Sequence, residues 1–373
     1  MAAFPTLDIG AAVAASPPQL KLPPGLPPGV AAILAGALQR DPASLNTDWF
    51  GTMLLHGLLL WSKRGVPQAG PFARAWLDHH LQAKAVSKYS GPRSRTVVAG
   101  GVAITTYAGH YGLAFPCYEL ARQFRDARAR AICIDIAKII LHQASRNRFG
   151  MVGHDDRAAF AIPDTCYFVA PPLMMASVLD RQNRQVFQDQ ALFQLRTYLD
   201  VFLAPDQGLA KTILLEDGPG KTFWTRATGW LLWAITGVLR HLPESDPQFP
   251  RFRKDLLRLA EGIARVQDSG GGFHVLLDDP ATPLETTGAA MCATGLREAV
   301  RRGWLSNAFA DTAARAWEFV KANITPEGNI LHAYTGWAVP AEQRVMSMDE
   351  HQMEWIPGMI LTAANELTLA KPS

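Results

Sequence analysis

RRGWLSNAFADTAARAW, Arg301 to Trp317, ends one helical run at Gly303 and starts another after Ser306 or Asn307. Gly is the residue that most readily takes the left-handed conformation closing a helix, and Ser or Asn caps the next one. HLPESDPQFPRFRKDLL, His241 to Leu257, does the same with a three-proline loop between two apolar-periodic runs. Working outward, apolar residues recur at helical spacing almost everywhere after residue 28. The spacing predicts helices near 29–40, 46–63, 70–83, 100–124, 126–144, 163–180, 185–202, 224–241, 247–268, 284–301, 305–322 and 348–368. GGGFHVLL (270–277) and EGNILHAY (327–334) are at most small hairpin pieces.

Helix–turn–helix units of roughly 40 to 60 residues, about six of them, predict an all-α fold, an (α/α)6 barrel. An open helical solenoid is the rival, and the chain carries no repeated signature that would support it. No Gly-, Ser- or charge-rich breakpoint follows residue 28, so residues 29–373 read as one catalytic domain. Residues 1–28, rich in proline and without pattern, read as an extended arm. The loops 84–99, 145–162, 203–223, 269–283 and 323–347 are candidate site walls.

Composition excludes several classes. Of 373 residues, 18% are charged and the net charge is +3, too close to neutral for a nucleic-acid partner. The basic cluster at Arg251 to Lys254 reads as a solvated helix face. The four cysteines, Cys117, Cys133, Cys166 and Cys292, form no CxxC pair and sit in apolar stretches, which suits buried thiols in a reducing compartment. The N-terminus has neither a basic leader nor a long apolar core, so the expected location is cytoplasmic, with no membrane span.

The chemistry concentrates in three segments. FWTRATGW, Phe223 to Trp230, brackets Arg226 with Trp224 and Trp230 at the start of an apolar helix. Indole faces stack on sugar rings and a guanidinium grips a carboxylate with two parallel hydrogen bonds. A structural cation–π pair is the plainer reading of the same residues. In AIPDTCYFVAPPLMM, Ala161 to Met175, Asp164 opens an apolar helix, where burial would keep a carboxyl protonated as a general acid requires. It also suits an ordinary first-turn aspartate. Pro171 and Pro172 in that run signal either a kink or a functional irregularity. In LLDDPATPLETTGAAM, Leu276 to Met291, Glu285 begins a helix, either as a routine acidic start or as a partner for a sugar hydroxyl, and Asp278 and Asp279 read as turn formers. His110, His154, His274, His332 and His351 are scattered without a metal-binding spacing; His110 interrupts an apolar run and is the histidine of most interest. No GxSxG, phosphate-binding loop or dinucleotide-binding pattern occurs.

Taken together, PDTCYFVAPPLMMASVL, FWTRATGW, LLWAITGVLRHLPESDPQFP and LLDDPATPLETTGAAMCATGLREAVRRGWL resemble the unsaturated rhamnogalacturonyl and glucuronyl hydrolases, glycoside hydrolase families 105 and 88. The resemblance spans roughly residues 110 to 322, with a weaker echo in NTDWFGTMLLHGLLL (46–60). It implies the same helical barrel. It also implies hydration of the C4–C5 double bond of a terminal unsaturated uronic acid, on an oligosaccharide released by a polysaccharide lyase. By that resemblance Asp164 is the acid/base, and Trp224, Arg226 and Trp230 form the aromatic, carboxylate-facing wall. His110 and Glu285 join the substrate-binding set. No metal or organic cofactor is expected, the partner is a small uronate-bearing oligosaccharide, and the chain is expected to be a monomer or homodimer.

Two departures stand out. The family's second aspartate has no counterpart, since VVAGGVAITTYAGHYGLAFPCYEL (97–120) holds no acid before Glu119 and the preceding one is Asp78. Lys211 and Thr212 stand where a histidine is usual. Rival functions on the same scaffold are a uronate lyase or sugar epimerase using His110, Tyr111, His332 or His351, and a non-catalytic carbohydrate-binding protein.

Overall fold

The computed structural model describes residues 20–86, 93–157, 159–215, 218–334 and 353–368. Most of the expected N-terminal arm, residues 348–352 of the last expected helix and His351 lie outside the described residues.

Twelve α-helices are present among the described residues: α1 (Pro28–Gln39), α2 (Trp49–Ser62), α3 (Ala69–Ala83), α4 (Ala114–Phe124), α5 (Ala127–His142), α6 (Pro163–Leu179), α7 (Arg184–Phe202), α8 (Thr225–Leu239), α9 (Phe249–Val266), α10 (Thr286–Arg301), α11 (Ala310–Ala322) and α12 (Trp355–Leu367). The even-numbered helices pack side to side in a closed ring, α2 on α4, α4 on α6, and so on to α12, which returns to α2. The odd-numbered helices lie outside and back onto them. The chain is thus an (α/α)6 barrel with parallel inner helices.

Composition explains which helix goes where. Every residue of α8, TRATGWLLWAITGVL, is buried, and its only charged side chain is Arg226. A helix apolar on all sides must be surrounded by others. By contrast α9, FPRFRKDLLRLAEGIARV, buries Phe252, Leu256, Leu259, Ala260 and Ile263 along one stripe, and its arginines and Lys254 lie off that stripe. Caps fix several starts: Asp48 accepts from the Phe50 N–H at 2.9 Å, and Asp126 from those of Arg128 and Ala129 at 2.9 and 3.1 Å. Ser306 precedes a short 3-10 turn at Asn307–Phe309 that leads into α11, and Gly303, at φ +74°, ends the preceding helix as the sequence suggests.

The expected helix over 100–124 is corrected. It opens on the turn and second strand of a hairpin formed by β1 (Thr96–Ala99), which precedes the span, and β2 (Val102–Thr105); a 3-10 segment at Ala108–Leu113 follows, and only Ala114–Phe124 is α-helical. The reason is local. Gly100 and Gly101 both have positive φ, the requirement of a two-residue hairpin turn, and β-branched residues flank them. A second small ladder joins β3 (Leu214–Leu215) to β4 (Gly218–Pro219). The GGGFHVLL and EGNILHAY segments form isolated bridges, His274 to Leu284 and Ile324 to Ile330.

Helix α6 runs unbroken through Pro171 and Pro172. Pro171 packs against Gly237 of α8, where an added Cβ would come within 3.0 Å of the proline ring. Pro171 therefore serves close packing of α6 on α8. No helix among the described residues is long and apolar enough to cross a membrane. All four cysteines are free and buried.

Candidate active site

Because the inner helices are parallel, their N-terminal ends converge on one mouth of the barrel. Trp49, Asp164, Arg226, Glu285 and Trp355 stand at the starts of α2, α6, α8, α10 and α12, and His110 lies in the 3-10 segment leading into α4. Unpaired N–H groups and helix dipoles make such a mouth favourable to anions.

Asp164 is in the first turn of α6, behind Ile162 and Pro163, and its side chain does not cap the helix. The residue as a whole is half-buried, yet its Oδ1 is sealed from solvent and has no hydrogen-bond partner. Burial pushes its pKa up to about 7, and the nearby Arg226 charge offsets part of that rise. A carboxyl held near neutrality can give up and retake a proton.

Arg226 is 4% exposed. Its guanidinium lies 4.1 Å from the ring centroid of Trp224 and 4.9 Å from that of Trp355, with Nη1 3.8 Å from Glu285 Oε1. Glu285 has no accessible surface. Its carboxylate accepts from the N–H and hydroxyl of Thr287 and the N–H of Gly288, which caps α10. Glu285 therefore anchors Arg226 from behind instead of presenting an oxygen to a sugar. Trp230, expected to share a face with Arg226, is 1% exposed and turns into the barrel, with ring centroids 5.1 Å from Tyr167 and 5.3 Å from Phe168. Phe115 stacks on Tyr167 at 4.6 Å, so these rings plug the barrel beneath the mouth.

His110 is fully buried. Its Nδ1 meets the Thr105 backbone N–H at 3.2 Å and the Thr105 hydroxyl at 2.8 Å, and its Nε2 has no partner. Accepting the backbone N–H at Nδ1 places the proton on Nε2. Burial drives its pKa down to about 3, so the ring is neutral. Tyr107 packs edge-on to both His110 and His154, at 5.9 and 4.9 Å. His154 Nδ1 lies 3.0 Å from the hydroxyl of Thr165, next to Asp164, and burial lowers its pKa to about 4. His274 Nδ1 is engaged by the Thr282 carbonyl, and His332, at φ +53°, contributes its carbonyl to the N–H of Thr286.

Interlocked loops hold these groups. Ala161 bridges to Leu214, and Thr212 receives the Trp224 N–H at 3.1 Å, which couples the approach to Asp164 with the tryptophan. Trp224 bridges to Leu276, and Thr225 donates its N–H to Val275 at 3.0 Å. Thr212 thus acts as a backbone clamp.

Sequence reasoning missed Trp49, Tyr107 and Trp355. The Trp49 ring lies 5.2 Å from Trp355, and its Nε1 is buried without a partner. Their signal was available, because Trp49 and Trp355 each open an inner helix, as Thr225 does after Trp224. Among the described residues no three His, Cys, Asp or Glu side chains converge as a metal site needs.

Comparison with known proteins agrees with this architecture. An unsaturated rhamnogalacturonyl hydrolase of Bacillus subtilis is 27% identical over 171 residues, covering 43% of this chain and 49% of that protein. An unsaturated 3S-rhamnoglycuronyl hydrolase of Alteromonas is 26% identical over 159 residues, 41% of this chain and 37% of that protein. The matches thus span about half or less of these relatives. Among solved structures, a "possible member of GH105 family" from Salmonella enterica superposes with a TM-score of 0.76 at 18% identity, covering 98% of this chain and 99% of that one. The unsaturated glucuronyl hydrolase of Bacillus sp. GL1 superposes at 0.66 with 14% identity, covering 91% and 94%. These structures share the fold. The sequence profile of Glycosyl Hydrolase Family 88 matches residues 43–370, nearly the whole barrel, and the chain belongs to that family.

Proposed function

We propose that the protein hydrates the C4–C5 double bond of a terminal unsaturated uronic acid on an oligosaccharide of the kind a polysaccharide lyase leaves, with Asp164 as general acid and base. The observation that carries this reading is the Asp164 carboxyl, its Oδ1 without a partner, poised near neutrality beside Arg226 at the anion-favouring mouth.

In the first step the Asp164 proton passes to C4, and the ring oxygen stabilises the cation left at C5. Water then adds at C5 and returns a proton to the Asp164 carboxylate. The resulting hemiketal opens and releases the remaining saccharide, so the net change is one water consumed and one glycosidic bond broken. Arg226 receives the uronate carboxylate and is kept in place by Trp224, Trp355 and Glu285. His110, neutral and with a free Nε2, donates to a sugar hydroxyl or the attacking water. With that ring neutral, a second carboxylate is not required for charge balance, and one acid does the work. This differs from glycosidases that use two carboxylates. The names of the Bacillus subtilis and Alteromonas relatives support the substrate class.

The test follows the conjugated enoate of an unsaturated disaccharide in the near ultraviolet. Loss of absorbance with the wild-type chain and none with Asp164→Asn is the expected result. A gain of absorbance from a saturated uronide would instead indicate a lyase, and binding without any change would indicate a non-catalytic carbohydrate binder.

A further inference from the structure

Beneath the aromatic plug the barrel opens again. The C-terminal halves of the inner helices surround a second cavity of about 320 Å³. Helix α8 links it to the mouth, with Arg226 at one end and Arg240 at the other, about 21 Å apart at ~1.5 Å per residue.

Three aromatic rings, Phe115, Tyr167 and Trp233, form its floor, and Thr236, Thr294 and Asn365 stand on its walls. Five cations, Lys63, Arg64, Arg240, Arg301 and Arg302, line it with three carboxylates, Glu119, Glu298 and Glu366. Glu298 receives Arg240 through two contacts of 2.9 and 2.7 Å and Arg302 through a third of 2.9 Å. Lys63 meets Glu119 at 2.7 Å, and Arg301 meets Glu366 at 2.6 Å. Arg64 caps α12 by donating to the carbonyls of Asn365 and Thr368.

Exposure decides which sign the cavity presents. The carboxylate side chains of Glu119, Glu298 and Glu366 are 9%, 3% and 12% exposed, whereas Lys63, Arg240 and Arg302 keep 51%, 35% and 33%. The acids lie beneath Lys63, Arg240 and Arg302, which face outward, whereas Arg301, at 18%, stays down with Glu366. Arg240 and Arg302 share one carboxylate, which leaves that trio with a positive charge. Helix capping accounts for Arg64, and Lys63, Arg240 and Arg302 stand at the C-caps of α2, α8 and α10, where the helix dipoles offset part of this surplus. A second observation points inward: His56 is 4% exposed, lines the cavity and carries an Nδ1 without any partner. Burial holds that ring neutral, with a pKa near 4, so it is a polar contact and not another cation.

We propose that this basal cavity binds a small organic anion of monosaccharide size, its carboxylate or phosphate received by Arg240, Arg302 and Lys63 and its body resting on Tyr167 and Trp233. Guanidinium groups suit either anion, and indole faces suit a sugar ring. The volume lies at the lower end of small-molecule pockets, about 300–1,000 Å³. His56 then meets a hydroxyl of the ligand. The site is separate from the mouth and does not depend on the hydration reaction.

Met175 lines the cavity and supplies a local reporter. The full chain, labelled at its methionine methyl groups, is titrated with D-glucuronate, D-glucose 6-phosphate and neutral D-glucose, and the Met175 signal is assigned with Met175→Leu. The expected result is a saturable shift at about millimolar concentration with one or both anions, which tells carboxylate from phosphate, and none with glucose. Arg302→Gln should raise the apparent Kd at least about tenfold, and Arg302→Lys should raise it less. Lys63→Met, at a more exposed position, provides the same test should Arg302→Gln not fold. No shift with either anion up to ~20 mM, an equal shift with glucose, or an unchanged curve in a folded charge variant would overturn the proposal. Because the reporter lies below the plug, failure here is distinct from failure of the hydration assay.

Discussion

Arg226 Nη1 lies 3.8 Å from Glu285 Oε1, and the two side chains are 5% and 0% exposed. The same carboxylate caps α10 and stands 3.4 Å from the N–H of Tyr334, so one acid ties α8, α10 and the segment after α11 together. Glu285→Gln removes the countercharge and half of the acceptor capacity. Breaking a buried pair is expected to lower stability by about 2–4 kcal/mol and to raise KM for a uronate substrate more than it lowers kcat. Chemical denaturation and steady-state kinetics measure both, and an unaltered KM would separate Glu285 from the proposed carboxylate-binding role of Arg226.

In the proposed reaction Asp164 must be protonated at the start. With its pKa near 7, kcat/KM should be level in mildly acidic solution and fall about tenfold per pH unit once the pH passes well above 7. His110 and His154, held near 3 and 4, should add no limb between pH 5 and 7. A rate that climbs through neutrality would point to a base and not an acid.

The raised pKa also has a stability cost with a definite sign. The folded state keeps the Asp164 proton longer than the unfolded chain, whose carboxyl titrates near 3.8. The contribution of Asp164 to stability is therefore most favourable below that value, declines as the pH rises toward 7, and then levels off. The shift sets an upper bound of about 4 kcal/mol, and the residual exposure of the residue trims this to ~2. Asp164→Asn should abolish turnover yet raise Tm at pH 8 relative to wild type, with little difference at pH 4. Scanning calorimetry at the two pH values checks the contrast.

Trp355 closes the second side of Arg226. Trp355→Leu keeps the site apolar but removes the π face. A loss of about 1–2 kcal/mol of binding, or 5- to 30-fold in KM, is expected. Trp224→Leu should behave alike because both indoles lie against the same guanidinium, and substrate-saturation curves for both variants provide the comparison.

The sequence displayed the barrel through its period. Long apolar runs broken by Pro, Gly and Ser could be counted into helical hairpins, and ten of the twelve expected spans coincide with helices to within a few residues, while the start of the last, 348–352, lies outside the described residues. The span over 100–124 failed because an apolar tally does not distinguish VVAGGVAIT from a helix; the paired glycines did. Asp164 and Arg226 could be picked out because each opens an apolar helix. Trp355 could not be paired with Arg226, since they are more than a hundred residues apart and meet only when the ring closes. The role of Glu285 was ambiguous for a similar reason: the same acidic first residue serves a cap, an ion pair or a ligand, and only burial tells which.

The plug formed by Phe115, Tyr167, Phe168 and Trp230 makes the upper half of the barrel a blind shaft. A saccharide cannot be threaded through it. Under the proposed reaction only a chain tip could reach Asp164, and whatever remained after cleavage would have to back out the way it came. Trimming would then proceed one terminal unit per visit, and long polymers would be handled no faster than short ones.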